Sequence, residues 1–279
     1  MSYQLLPGFV VRVAEQSTYD HWQGGPATHN GAFCDRCQRP FLLIWDINCA
    51  DPRFVVDDKP VFKNLKRLPL YYCWRCCAEL AYRVSGNERL QLFHNSGSEQ
   101  EKDFPYPNYP LQFDRRPIEL SRPDEMPKRV RDFLLAPPDA RVPKETKAAL
   151  SEWLGRPIRK AEFDIWWQQF GGEPWLIQGE EQMNCPNPKC SAVRRGAHMK
   201  ILAAVCNDPL SGLPMIETMD DEQRVSGIFN RWVQIVYHIC EDCDSPPLSD
   251  SGGDRIMVLE GGPKDERVTA GSATSLAAF

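Results

Sequence analysis

The chain has no apolar run near the roughly 18 residues a membrane span requires, so no membrane partner is expected. It also lacks a basic excess: 33 Lys and Arg stand against 38 Asp and Glu, for a net charge of −5. Non-specific nucleic-acid binding rests on neutralising phosphates, so a nucleic-acid partner is disfavoured. Histidine is scarce, with His21, His29, His94, His198 and His238 the full set, and none stands in a His-Glu-x2-His arrangement. Gly-x-Ser-x-Gly is missing, and so is any glycine-rich phosphate loop. Gly24-Gly25 and Gly171-Gly172 are too short for one and lead into prolines, which suits a tight turn or a close backbone approach. Residues 1–17 carry Pro7, Gly8 and Arg12 within their apolar stretch and lack a signal-peptide layout. The expectation is a cytoplasmic protein with reduced thiols.

Cysteine is what the chain has in quantity, eleven in all. Eight fall into tight pairs: Cys34-x2-Cys37 with Cys73-x2-Cys76, and Cys185-x4-Cys190 with Cys240-x2-Cys243. A pair two to four residues apart can turn both thiolates inward from one loop, and two such loops close a tetrahedral shell. Two zinc ions are therefore expected. A four-thiolate zinc has no open position for substrate, so both should be structural. Cys49, Cys77 and Cys206 are left over. Core packing is the favoured role for Cys49 and Cys206, Cys77 adjoins Cys76 and could swap in as a ligand, and His198 could be a spare ligand.

The flanks of the two sets also correspond. Leu43-Ile44-Trp45-Asp46-Ile47-Asn48-Cys49 runs into Asp51-Pro52, and Ile201-Leu202-Ala203-Ala204-Val205-Cys206 runs into Asp208-Pro209. Leu70-Tyr71-Tyr72 leads into Cys73 as Val236-Tyr237-His238-Ile239 leads into Cys240, and a Gly-Gly pair precedes each set. The shared order indicates an internal duplication. It predicts matching strand orders, with Cys49 overlaying Cys206 and Tyr71 or Tyr72 overlaying Tyr237.

The fold class expected is mainly β (α+β): two zinc-stapled β lobes joined by a proline-rich arm with short helices. The boundaries are 1–96 for the first lobe, 97–157 for the arm, 158–260 for the second lobe and 261–279 for a frayed tail. Strands are expected at Phe9–Val13, Phe41–Ile47, Leu68–Tyr72, Leu80–Val84, Leu90–Phe93, Met199–Cys206, Trp232–Ile239 and Ile256–Leu259. His21 and His29 read as part of a polar loop. Nine prolines with ten acidic and ten basic residues between 97 and 150 suit an arm, with helices near Lys128–Leu135 and Lys144–Leu154.

Gly171-Gly172-x-Pro174-Trp175, Cys185 and Cys190, the apolar strand at Met199–Val205, and Cys240 with Cys243 together resemble the YwqG-like proteins of bacteria. They are also similar to the zinc-binding module of programmed cell death protein 2. The match covers 165–245 well and 22–80 more loosely, and it departs where the family pattern carries a Gln near the end of the apolar strand and this chain has Ala203-Ala204-Val205-Cys206. The resemblance implies a pseudo-symmetric, mostly β fold with no established enzyme activity. It implies binding to one protein partner, either a toxin domain held by an immunity protein or a basic client held by a chaperone.

Partner-binding candidates follow from the residues themselves. Trp166 and Trp167 are neighbours and cannot both face one core, so one is available as an interface anchor. Asp220, Asp221 and Glu222 form an acidic run that, against a basic partner, would steer association. The plainer readings are arm packing for the tryptophans and a solvated loop for the acids. A non-enzymatic binding protein is the leading expectation. The rival from another class is a metal-dependent hydrolase or a nucleic-acid-processing enzyme, which would need an open metal position or an activated nucleophile.

Overall fold

The computed structural model describes residues 8–62, 65–73, 76, 80–85, 89–95, 112–134, 144–157, 168–172, 184–185, 187, 190–196, 198–206, 234–240 and 255–261. The strands are β1 (Phe9–Val13), β2 (His21–Gly25), β3 (Leu42–Asn48), β4 (Val55–Val56), β5 (Lys59–Pro60), β6 (Arg67–Tyr72), β7 (Leu80–Ser85), β8 (Arg89–Asn95), β9 (Phe113–Ser121), β10 (Gln169–Phe170), β11 (Lys200–Cys206), β12 (Gln234–Cys240) and β13 (Arg255–Gly261). The helices are α1 (Lys128–Leu134), α2 (Lys144–Leu154) and α3 (Ser191–Arg194). The protein is mainly β, as its composition and patterning indicate. The two short helices expected between 97 and 157 lie where the capping and stop signals placed them.

Eleven strands form one antiparallel sheet in the order β6-β3-β2-β9-β1-β10-β11-β12-β13-β7-β8. The sheet nearly closes on itself. Tyr82 on β7 reaches the free edge of β6, where its hydroxyl accepts the Tyr71 N–H at 2.8 Å and donates to the Pro69 carbonyl at 3.0 Å. One side-chain oxygen thus serves two backbone groups that a neighbouring strand would otherwise pair.

The strands flanking both cysteine sets share this sheet and a single core. Phe9, Ile44, Trp45 and Tyr72 pack in one cluster with Phe170, Leu202, Val205 and Tyr237. The two zinc-stapled β lobes expected from the sequence are therefore not separate sheets with separate cores. β1 and β9 lie between the halves and pair with each other over Val10–Val13 and Ile118–Ser121, so neither half ends in an open edge there.

Two local expectations are corrected as well. The polar loop around His21 is strand β2, because His21 and Gln23 face inward and are buried despite being polar, which hides the period-2 pattern. The arm contributes β9, a nine-residue strand in the middle of the sheet. Its buried residues Phe113, Ile118 and Leu120 were masked by Arg115, Arg116 and Pro117. On the far side of β1 from Phe9 and Val11, Val10 packs with Met126, Val130 of α1 and Leu150 of α2. The helix pair therefore covers the outer face of the central strand.

Strand registers agree closely between the halves. β3 and β6 pair Leu43 with Tyr71, skip Ile44, and resume with Trp45 opposite Leu70. β11 and β12 pair Ile201 with His238, skip Leu202, and resume with Ala203 opposite Tyr237. Trp22 of β2 lies opposite Asp46, and Gln169 of β10 lies opposite Ala204, which is the corresponding site. The glycines that follow take positive φ in both places: Gly24 at 67° and Gly25 at 99°, Gly171 at 68° and Gly172 at 66°. A Cβ on Gly24 would sit 2.3 Å from the Asp114 carbonyl oxygen, and one on Gly172 would sit 2.6 Å from the Gly8 Cα. Both glycines are therefore places of close approach to the strands or chain at the centre of the sheet. Counted from the skipped residue, Cys73 corresponds to Cys240, but Cys206 corresponds to Asn48, one place short of Cys49, and Tyr237 corresponds to Leu70.

Candidate metal centres

Cys34 and Cys37 come from the loop before β3, and Cys73 and Cys76 follow β6. Because β3 and β6 pair with Leu42 opposite Tyr72, both loops emerge at the same end of the ladder. The four sulfurs lie within 4.8 Å of one another. Cys34 Sγ is 3.6 Å from Cys76 Sγ, and Cys37 Sγ is 3.7 Å from Cys73 Sγ, so neither pair is a disulfide. Metal–sulfur bonds of about 2.3 Å require tetrahedral edges of about 3.8 Å, close to both separations. Cys34, Cys73 and Cys76 are buried and Cys37 is half-buried. This cluster could hold a metal ion, and all four of its members are those the spacing selected.

The loop is built for thiolate. Cys34 N–H donates to the Arg39 carbonyl and Gln38 N–H to the Cys34 carbonyl, both at 2.9 Å, with Gln38 at φ 59° closing the turn. Cys34 is drawn well below the ordinary thiol range by a hydrogen bond from Cys73, with further help, against the cost of burial, from the Cys37 and Arg36 backbone N–H groups and the Asn95 amide. Asn95 Nδ2 is 3.4 Å from Cys34 Sγ, and Arg36 Nη2 donates to the Asn95 carbonyl at 3.3 Å. The end of β8 is thereby tied to the cluster. The same crowding pushes Cys73 and Cys76 up: a hydrogen bond with Cys34 leads for Cys73, and burial leads for Cys76. Four bare thiols cannot all ionise so close together, whereas a divalent cation among them reverses that repulsion.

The second set is placed the same way. Cys185 and Cys190 precede β11, Cys240 ends β12, and their sulfurs also lie within 4.8 Å of one another. Cys190 Sγ is 3.5 Å from Cys240 Sγ. Cys190 stands at the start of α3, with its N–H on the Asn187 carbonyl at 2.9 Å. The three buried cysteines pack with Ala81 of β7, Ala192 and Met199. Cys243, expected as the fourth ligand, lies outside the described residues, as does Cys77. His198 does not join the cluster. Its Nδ1 meets Asn184 Oδ1 at 3.1 Å, in an exposed hydrogen bond.

The partner-binding candidates Trp166, Trp167, Asp220, Asp221 and Glu222 all lie outside the described residues. Cys49 is buried in the main core and its Sγ points at the Ile47 carbonyl, as its packing role required.

A buried polar cluster that the spacing did not reveal surrounds Asp51. Arg53 Nη2 and Nε contact its carboxylate at 2.7 and 3.0 Å, and His21 Nε2 contacts it at 3.0 Å. His21 Nδ1 accepts the Asn48 N–H at 3.1 Å, so Nε2 carries the ring proton and donates it to Asp51. Burial alone would raise the Asp51 carboxyl, but the bonds from His21 and Arg53 overcome it and bring the group down to about 2. Arg53 Nη1 also donates to the Leu120 carbonyl of β9 at 2.7 Å, and its guanidinium lies over Phe9 of β1 and Tyr19. Both histidine nitrogens and the carboxylate are committed to these bonds, so the cluster joins the β3 end to β1 and β9. Asp51 was visible in sequence as half of the Asp-Pro signature. Nothing in the sequence marked Asn95.

Compared with known proteins, the chain matches no family model, no curated protein and no solved structure.

Proposed function

We propose that this chain is a duplicated β unit stapled by two structural zinc ions, and that it acts without catalysis by holding one protein partner. The observation that carries the reading is the first cluster, four sulfurs at tetrahedral spacing with three of them buried. Such a shell is complete with protein ligands alone and offers no position for substrate or water. Sulfur as the only donor type selects zinc over hard cations. The spacing of Cys240 and Cys243 supports Cys243 as the fourth ligand of the second site. The duplication is supported by the shared skipped residue, the paired glycines and the correspondence of Cys73 with Cys240. The titratable cluster at Asp51 has its donors and acceptors used internally, which also favours a binding role over acid–base chemistry.

The narrower form of the reading is an immunity protein against a toxin domain, with a chaperone for a basic client as its rival. Both rest on the resemblance to YwqG-like proteins and the zinc module of programmed cell death protein 2. Metal analysis of purified protein should find about two zinc equivalents per chain, with zinc–sulfur distances near 2.3 Å by X-ray absorption. The functional test is co-expression with the product of the adjacent reading frame. Rescue of growth from that product supports immunity. A zinc-dependent hydrolytic rate, lost in Cys240→Ser while the protein stays folded, would overturn the non-enzymatic reading.

A further inference from the structure

The hairpin of β4 and β5 forms a two-stranded sheet of its own, and among the described residues no other strand pairs with it. Val55 pairs with Pro60 and Val56 with Lys59, so Asp57 and Asp58 form a two-residue turn. Both turn residues take positive φ, 50° and 60°, as a hairpin of matching twist requires. All six residues are exposed, and Val55 and Val56 show 40% and 43% of their surface.

The stem is as firmly held as the core. Phe54 and Phe62 are buried, their rings 5.7 Å apart edge to face, and Phe54 packs on Phe9 and Phe170 at 5.6 and 5.3 Å. Val61 N–H donates to the Phe54 carbonyl at 3.0 Å. Arg53, the residue before the stem, is clamped on Asp51. A rigid base therefore carries a tip that exposes two β-branched side chains and holds two L-residues in a backbone region they adopt at a cost.

The chemistry of the tip selects its occupant. Neighbouring residues of a strand face opposite ways, so each face of the ribbon has one valine. One face pairs Val55 with Pro60, and the other pairs Val56 with the aliphatic stem of Lys59. Apolar groups on both faces fit a cleft that closes around the ribbon, not a flat surface. Pro60 has no N–H, so the β5 edge cannot extend a ladder. Two copies meeting tip to tip would bring Asp57 and Asp58 against their own counterparts, which repels.

We infer that the Val55–Pro60 hairpin is the docking finger of this protein, seating its valines in an apolar cleft whose mouth is lined by Lys and Arg that receive Asp57 and Asp58. This rests on the partner-binding reading and names the surface and the charge of the partner. Desolvated valines supply the affinity, and the acidic turn supplies orientation and rate.

The test uses the full zinc-loaded chain with 13C-labelled valine methyls. It is titrated with a short synthetic leucine–lysine peptide and, separately, with its leucine–glutamate counterpart. The lysine peptide should shift the Val55 and Val56 methyls, and V55S/V56S should weaken that binding at least about tenfold. D57K/D58K should remove the preference for the lysine peptide while the far-UV spectrum stays unchanged. Equal responses to the two peptides, shifts confined to other valines, or no shift at saturating lysine peptide would each overturn the finger. V55S/V56S also enters the growth-rescue assay. Full rescue by that variant sinks the finger and leaves the binding reading standing, whereas failure of the unaltered chain to rescue sinks the immunity reading itself.

Discussion

The two cysteine clusters occupy corresponding places in corresponding registers, yet their surroundings differ. Around Cys34 the padding is polar, with the Asn95 amide on the sulfur and the Arg36 guanidinium behind it. Around Cys190 and Cys240 the padding is apolar, from Ala81, Ala192 and Met199. The interior pairs differ too. Trp45 lies opposite Leu70 in the first half, while Ala203 lies opposite Tyr237 in the second. The larger side chain lies on β3 in the first half and on β12 in the second, the first pair is the bulkier, and all four residues are fully buried. Backbone register, bulge and ligand position are held in common, while the side chains between them vary in size and neighbouring core residues take up the difference.

Removing one sulfur from each cluster tests whether the centres are equal in weight, and here the largest effects are expected. On the proposed two-zinc reading, Cys73→Ser and Cys240→Ser each remove a ligand from a structural site, and structural zinc contributes on the order of 10 kcal/mol to folding. Both variants should be insoluble or lose most of their cooperative thermal transition in calorimetry. If one of them retains two zinc equivalents and the wild-type Tm, the centres are not equivalent.

Asp51 belongs to the first half, and Asp208 of the second Asp-Pro pair lies outside the described residues, so Asp51→Asn asks what the buried polar cluster adds. The substitution leaves Arg53 with only a long contact to the half-exposed Glu125 at 3.8 Å, at a site mostly closed to water, and a loss of about 3 kcal/mol in denaturant unfolding is expected. The pH dependence has a definite sign. The Asp51 carboxyl is lowered from 3.8 to about 2 in the folded chain, so its stabilisation is complete above pH 3.8 and is lost as pH falls through about 2. That portion is roughly 2 kcal/mol. Thiol protonation releases metal over part of the same range, so the informative quantity is the difference in slope between wild type and Asp51→Asn below about pH 4. Identical slopes would mean the carboxylate is not held as the geometry indicates.

The smallest effects should separate two tyrosines buried in the main core. Tyr82→Phe strips both bonds to the β6 edge and leaves the Tyr71 N–H and Pro69 carbonyl unpaired, at about 1–3 kcal/mol. The Tyr237 hydroxyl is buried without a partner among the described residues, so Tyr237→Phe should be neutral or slightly stabilising. Urea midpoints for the two variants decide it, and equal losses would mean that the Tyr82 clip does not close the sheet.

The strands at Phe9–Val13, Leu42–Asn48, Arg67–Tyr72 and Lys200–Cys206 were legible because each is a short apolar or alternating run bounded by turn residues. β2 and β9 were not, because their inward faces carry His21 and Gln23 in one, and their outward faces carry arginines and a proline in the other. Those inward polar groups are tolerated only where the surrounding structure supplies partners, as Asn48 and Asp51 do for His21, and those partners are remote in sequence.

The sequence alone therefore picked out the seven cysteines that meet in two clusters, since two ligands from one tight loop need only local geometry. It likewise determined the mainly β character, which is written in short-range pattern. Tertiary structure decided that the halves share one sheet and one core, that β9 and β1 seal the seam between them, and that Tyr82 closes the far edge. These depend on pairing between segments far apart in the chain, where the deciding quantity is the edge or cavity left over once each half has formed. No local pattern reports that remainder.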